Sequence, residues 1–90
     1  MVDLTILTVL VGKDRPGLIA KLTRALANQG VNIEELDQTV MRGVFVIALL
    51  LKPPRGTSFE QLKSKLEKEA ESLGLNAVVY DVESKGWIDE

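Results

Sequence analysis

Between Leu4 and Val11 the chain reads L-T-I-L-T-V-L-V, and both alternating sets are largely apolar. Leu4, Ile6 and Leu10 form one set; Leu7, Val9 and Val11 form the other. Such a run predicts a strand in the middle of a sheet that is covered on both sides. From Pro16 to Gln29 the period changes. Ile19, Leu22 and Leu26 fall three and four apart, Leu18 and Ala25 widen the stripe, and Lys21 and Arg24 face away, so a helix is predicted there. Pro16 suits its first turn, Asp14 is the better chemical candidate for its cap, and Gly30 supplies the stop. Residues 31–41 (V-N-I-E-E-L-D-Q-T-V-M) form a half-polar run, an edge strand with a bulge near Glu34 and Glu35, where Ile33 and Leu36 break the alternation. Arg42 and Gly43 then make a tight turn. Val44 to Leu51 (V-F-V-I-A-L-L-L) is the most apolar stretch and reads as a second central strand.

The run K-P-P-R-G-T at 52–57 predicts a loop. Thr57 or Ser58 is placed to cap a second helix, in which Phe59, Leu62, Leu66, Ala70 and Leu73 recur at helical spacing and Gly74 ends the run. Leu75 to Val82 is the last strand. The order β-α-β-β-α-β, with right-handed crossings, predicts an α+β, ferredoxin-like fold: a four-stranded antiparallel sheet with two helices on one face. Strands one and three are then central, which agrees with their being the most apolar.

Two helices cover one side of the sheet, yet the central strands are apolar on both. An exposed patch of that size is rare on a monomer. A second copy is the simplest cover, giving a homodimer or a higher homo-oligomer. The alternatives are the chain's own tail, folded over through Trp87 and Ile88, or a separate partner domain.

Length and composition narrow the chemistry. Ninety residues suffice for one domain, residues 1–90, with a core at about 3–83 and a short tail at 84–90. With no cysteine and no histidine, the usual metal ligands and the usual general base are missing, and no metal, cofactor or catalysis is expected. A net charge of -2, from 11 basic and 13 acidic residues, gives no pull toward nucleic acid or an anionic membrane. No apolar run approaches membrane-spanning length, and residues 1–5 lack the basic start and apolar stretch of a signal peptide, so a cytoplasmic setting is the default.

Three motifs fail on inspection. Gly12 and Gly17 have P-loop spacing, but Leu18 and Ile19 stand where Lys and Ser or Thr are needed. Arg42 to Val46 imitates an RNA-binding strand with a single aromatic, Phe45. Glu34, Glu35 and Asp37 could hold a hard cation or an ammonium group, but solvated charges on an edge strand explain them equally well and are the favoured reading.

The junction V-G-K-D-R-P-G-L-I at 11–19 remains. A strand running into a helix N-terminus exposes backbone N–H groups, and Gly12 and Gly17 let a ligand approach them. A carboxylate suits these amides, Asp14 could accept from an ammonium group, and Asn32 offers a donor and an acceptor. The plainer reading has the glycines making the turn, Asp14 capping the helix and Asn32 occupying an awkward backbone position after Gly30. Asn32 belongs at the opposite end of helix one from Gly12, so a neighbouring copy would have to supply it.

This junction, followed by G-V-N-I at 30–33 and D-Q-T-V-M-R-G-V-F at 37–45, resembles the ACT domain family, and in particular small single-domain ACT proteins of prokaryotes. The resemblance covers about residues 3–83. It implies the same fold, no catalysis, and a regulatory module that binds small ligands, commonly amino acids, and pairs through helices and sheets. It implies ligand contacts from the first loop (Gly12, Asp14, Pro16, Gly17 and Leu18) and from Asn32 and Ile33, often with the two sets supplied by different copies. ACT domains also stand beside biosynthetic enzymes, transcriptional regulators and phosphatase domains. The chain could therefore serve as an interaction subunit or as a detached regulatory domain of an amino-acid-metabolism enzyme.

Overall fold

The computed structural model describes residues 4–89; residues 1–3 and Glu90 of the expected domain lie outside it. The elements run β1 (Ile6–Lys13), α1 (Leu18–Asn28), β2 (Asn32–Met41), β3 (Val44–Lys52), α2 (Phe59–Ser72), β4 (Leu75–Asp81) and α3 (Val82–Lys85). The sheet is antiparallel throughout, in the order β2-β3-β1-β4. The two doubly apolar strands are therefore central, and β2 and β4 are the edges. The bulge falls between Ile33 and Glu35, as the broken alternation predicts. Arg42 and Gly43 both have positive φ (51° and 87°), the backbone of a hairpin turn that follows the sheet's twist.

The register sorts the strand residues by face. Ile6, Thr8 and Leu10 of β1 and Phe45, Ile47, Leu49 and Leu51 of β3 are buried. They join Leu18, Leu22 and Leu26 of α1 and Leu62, Leu66 and Ala70 of α2 in a single core. Thr8, the polar member of that strand face, is fully buried and donates its hydroxyl to the Val78 carbonyl at 3.0 Å. On the other face lie Leu7, Val9, Val46 and Leu50, half-buried, with Val11, Val44 and Val78 36–50% exposed. This is the apolar surface that two helices leave bare.

The tail departs from the expected strand-then-coil. Asp81 turns the chain by accepting from the Ser84 N–H (3.1 Å) and hydroxyl (2.8 Å), and Val82–Lys85 form one helical turn. Val82 is buried, its N–H donates to the Thr5 carbonyl, and Glu83 accepts from the Thr5 hydroxyl at 3.1 Å. Trp87 leans on Tyr80, with ring centroids 5.7 Å apart, and the Lys85 ammonium lies 5.0 Å from the indole ring. The tail therefore covers one end of the open face and leaves Val11, Val44 and Val78 uncovered.

Among the described residues, no helix is long and apolar enough to cross a membrane.

Candidate functional site

The β1–α1 junction differs from the expected one in where the helix begins and in what caps it. The helix starts at Leu18, not Pro16, and its N-cap is Gly17, at φ 84° and ψ 5°. Pro16–Gly17 supplies the central pair that a type II turn demands, with glycine taking the left-handed position. That turn separates Asp14 from the helix end, so Asp14 does not cap it. Instead the Asp14 backbone N–H donates to the Gly43 carbonyl at 2.8 Å, which pins the loop to the β2–β3 turn. The Asp14 side chain is exposed.

The Lys21 N–H bonds the Gly17 carbonyl, closing the first turn. The N–H groups of Leu18, Ile19 and Ala20 come before any helical partner. Among the described residues no side chain caps them, and the first turn holds no acidic residue. They form a small electropositive rim of backbone donors at the exposed Gly17. Leu18 itself is buried, so its side chain belongs to the core and not to this rim.

At Gly12 close packing calls for glycine. A Cβ there would come within 2.6 Å of Leu75 Cδ2 and 2.9 Å of the Gly74 carbonyl oxygen. Its bareness lets β1 lie tightly against the start of β4. At Gly17 the space is open, with Lys21 Cε the nearest atom at 4.0 Å, and it is the backbone angle that favours glycine.

Asn32 and Ile33 lie at the other end of the sheet. Helix α1 closes with Gly30 in the left-handed region; the Gly30 N–H bonds the Ala27 carbonyl, and the Val31 N–H bonds that of Leu26. This delivers Asn32, exposed, to the first position of β2, where its amide donates to Glu34 at 3.3 Å. Ile33 is half-buried against the core. Gly12 pairs with Phe45 and Asn32 with Lys52, seven residues apart along β3 and so separated by roughly 23 Å. One chain brings Gly12, Asp14, Pro16, Gly17 and Leu18 together, and brings Asn32 and Ile33 together, but does not join the two groups.

Sequence reasoning missed Arg15. Its guanidinium Nη2 donates to the Leu73 carbonyl, the C-cap of α2, 58 positions along the chain. The one local hint was Gly74, a helix stop with no basic residue in the turn before it. Among the described residues, no group of three or more His, Cys, Asp or Glu side chains could hold a metal ion.

The four-stranded antiparallel sheet with its two long helices is a fold shared with known proteins. The model of the ACT domain matches residues 4–80, and the chain belongs to that family. It is 36% identical over 70 residues to a UPF0237 protein of Methanopyrus kandleri, covering 77% of this chain and 78% of that one. It is 41% identical over 76 residues to part of a phosphoserine phosphatase of Streptomyces coelicolor, covering 83% of this chain and 18% of that protein. In fold it is similar to an ACT domain protein from Streptococcus pneumoniae, with a TM-score of 0.82 at 21% identity over 96% of this chain and 98% of the other. Members of the family are typically non-catalytic modules that bind small ligands and oligomerise.

Proposed function

We propose that this chain is a regulatory module that binds a free amino acid, has no catalysis of its own, and works as a dimer or higher homo-oligomer in the cytoplasm. The observation that carries the reading is the uncapped start of α1, whose three amides have no side-chain partner among the described residues and begin four residues after the exposed Asp14. In this reading the ligand carboxylate meets the Leu18–Ala20 amides and its ammonium group meets Asp14. Pro16 fixes the turn, Gly17 brings no side chain to the approach, and Asn32 and Ile33 come from a second copy. The roughly 23 Å between the two residue groups within one chain supports this sharing. The bare sheet face supports pairing of copies, since burying Val11, Val44 and Val78 is favourable at about 25 cal/mol per Å² of apolar surface. Ligand binding at such a seam alters how firmly the copies pair, which is the signal a regulated partner reads.

Calorimetric titration with the twenty free amino acids, alongside sedimentation to give the oligomeric state, tests the proposal. Binding by one or a few of them, weakened by Asp14→Asn with pairing intact, is the expected result. Silence across the panel at millimolar concentration refutes it.

One observation favours a second reading. The 41% identical segment is a minor part of a phosphoserine phosphatase, a protein whose name places it in amino-acid chemistry. The present chain would then act as a detached regulatory subunit of such an enzyme. That version predicts a stable complex with an enzyme from cell extract without added ligand.

A further inference from the structure

We propose that Arg15 is a positioning residue that holds the ligand loop against the α2–β4 junction and carries loop occupancy to it. The inference rests on the ligand reading of the preceding section and adds the route by which binding is felt elsewhere.

Helix α2 ends without a cation of its own; its last turn holds no basic residue, and its final carbonyls form the negative end of the helix. Arg15 fills that need from the β1–α1 loop by donating to the Leu73 carbonyl. Gly74 makes room for it: a Cβ at 74 would lie 3.2 Å from Arg15 Nη2 and 3.8 Å from Cζ. The same stretch is gripped a second time, since Gly12 packs its bare Cα against Leu75 and the Gly74 carbonyl. Residues just before and within the loop thus both rest on Leu73–Leu75, while the Asp14 N–H ties the loop to Gly43 on its other side. The loop that presents the Leu18–Ala20 amides cannot shift without disturbing the end of α2 and the first residues of β4. A ligand that prefers the latched loop must, by reciprocity, tighten that junction, and loosening the junction must weaken the ligand.

The test compares wild type with Arg15→Gln and Arg15→Lys, and uses Ser58→Ala as a variant destabilised far from the loop. Titration with the twenty amino acids is paired with hydrogen exchange at Asp14, Lys21 and residues 73–75. Arg15→Gln is expected to weaken the best-bound amino acid roughly tenfold, within the usual range of coupling. It also abolishes ligand-induced protection at 73–75, and Arg15→Lys restores part of both. Ser58→Ala leaves affinity unchanged. Wild-type affinity in Arg15→Gln, or equal losses in Arg15→Gln and Ser58→Ala, overturns the proposal. If wild type binds no amino acid, the ligand reading fails and exchange in the unliganded proteins decides the latch. Faster exchange at Asp14 and Lys21 in Arg15→Gln upholds it, and unchanged exchange overturns it.

Discussion

The two long helices begin in opposite ways. Helix α2 starts on Ser58, whose hydroxyl accepts the Gln61 N–H at 3.1 Å while the Gln61 side chain accepts the Ser58 N–H at 2.9 Å. Glu60 adds negative charge to its first turn. Helix α1 starts on Gly17, with no side chain bonded to its amides and no acid in its first turn. The chain has the residues to close a helix end and uses them on α2, where the end needs only to be satisfied. On α1 the donors have no side-chain partner among the described residues. The contrast is one of chemistry and not of anchoring, because each helix buries its own stripe, Leu22 and Leu26 on one and Leu62 and Leu66 on the other.

The comparison can be broken or sharpened by substitution. The largest effect is expected at the two anchors: Leu22→Ala and Leu66→Ala should each cost about 2–5 kcal/mol by denaturant unfolding, since both side chains are fully or almost fully buried. If only the α2 change were costly, α1 would be a loose helix and its bare end would carry no message. Next comes Gly17→Ala, which forces a side chain into left-handed backbone at a cost of about 1–2 kcal/mol and should also reduce amino-acid binding. Ser58→Ala should cost about 1 kcal/mol with no change in ligand affinity. The smallest and sharpest is Ala20→Glu, at an exposed first-turn position. A carboxylate there should stabilise the helix by about 0.3–1 kcal/mol. It should at the same time weaken any carboxylate ligand, and a stability gain paired with an affinity loss is a signature that no general damage produces.

Much of this molecule can be read from its residue pattern, and the reason is local. The element order, the central and edge strands and the bulge beside Glu34 follow from period and polarity, and β3 declares itself through an unbroken apolar run. Thr57 and Ser58 both suit the cap of α2, and Gln61, three positions beyond Ser58, is what decides for Ser58. Misreading begins where several residues act as one turn. Pro16 is a sound first helical residue in isolation, but the following glycine converts the pair into a turn and moves the helix start to Leu18. Asp14 loses its capping role for the same reason. The four-residue α3 is too short to show a period, and its order comes from Thr5, at the far end of the sequence. Arg15 was the least legible, because its partner lies 58 positions away and is a backbone oxygen that no residue type announces. The same limit applies to the candidate site: its glycines are visible in sequence, but only the folded chain separates Gly12, which is bare for packing, from Gly17, which is bare for backbone angle.

Trp87 is the only tryptophan in the chain and Tyr80 the only tyrosine, and the two rings meet at one end of the open sheet face. Trp87 is 61% exposed. The protein thus carries an intrinsic fluorophore at the rim of the surface where a second copy would settle. Its emission colour and quenching by iodide report on that rim without any label, and for the proposed dimer a dilution series would become an optical titration of self-association.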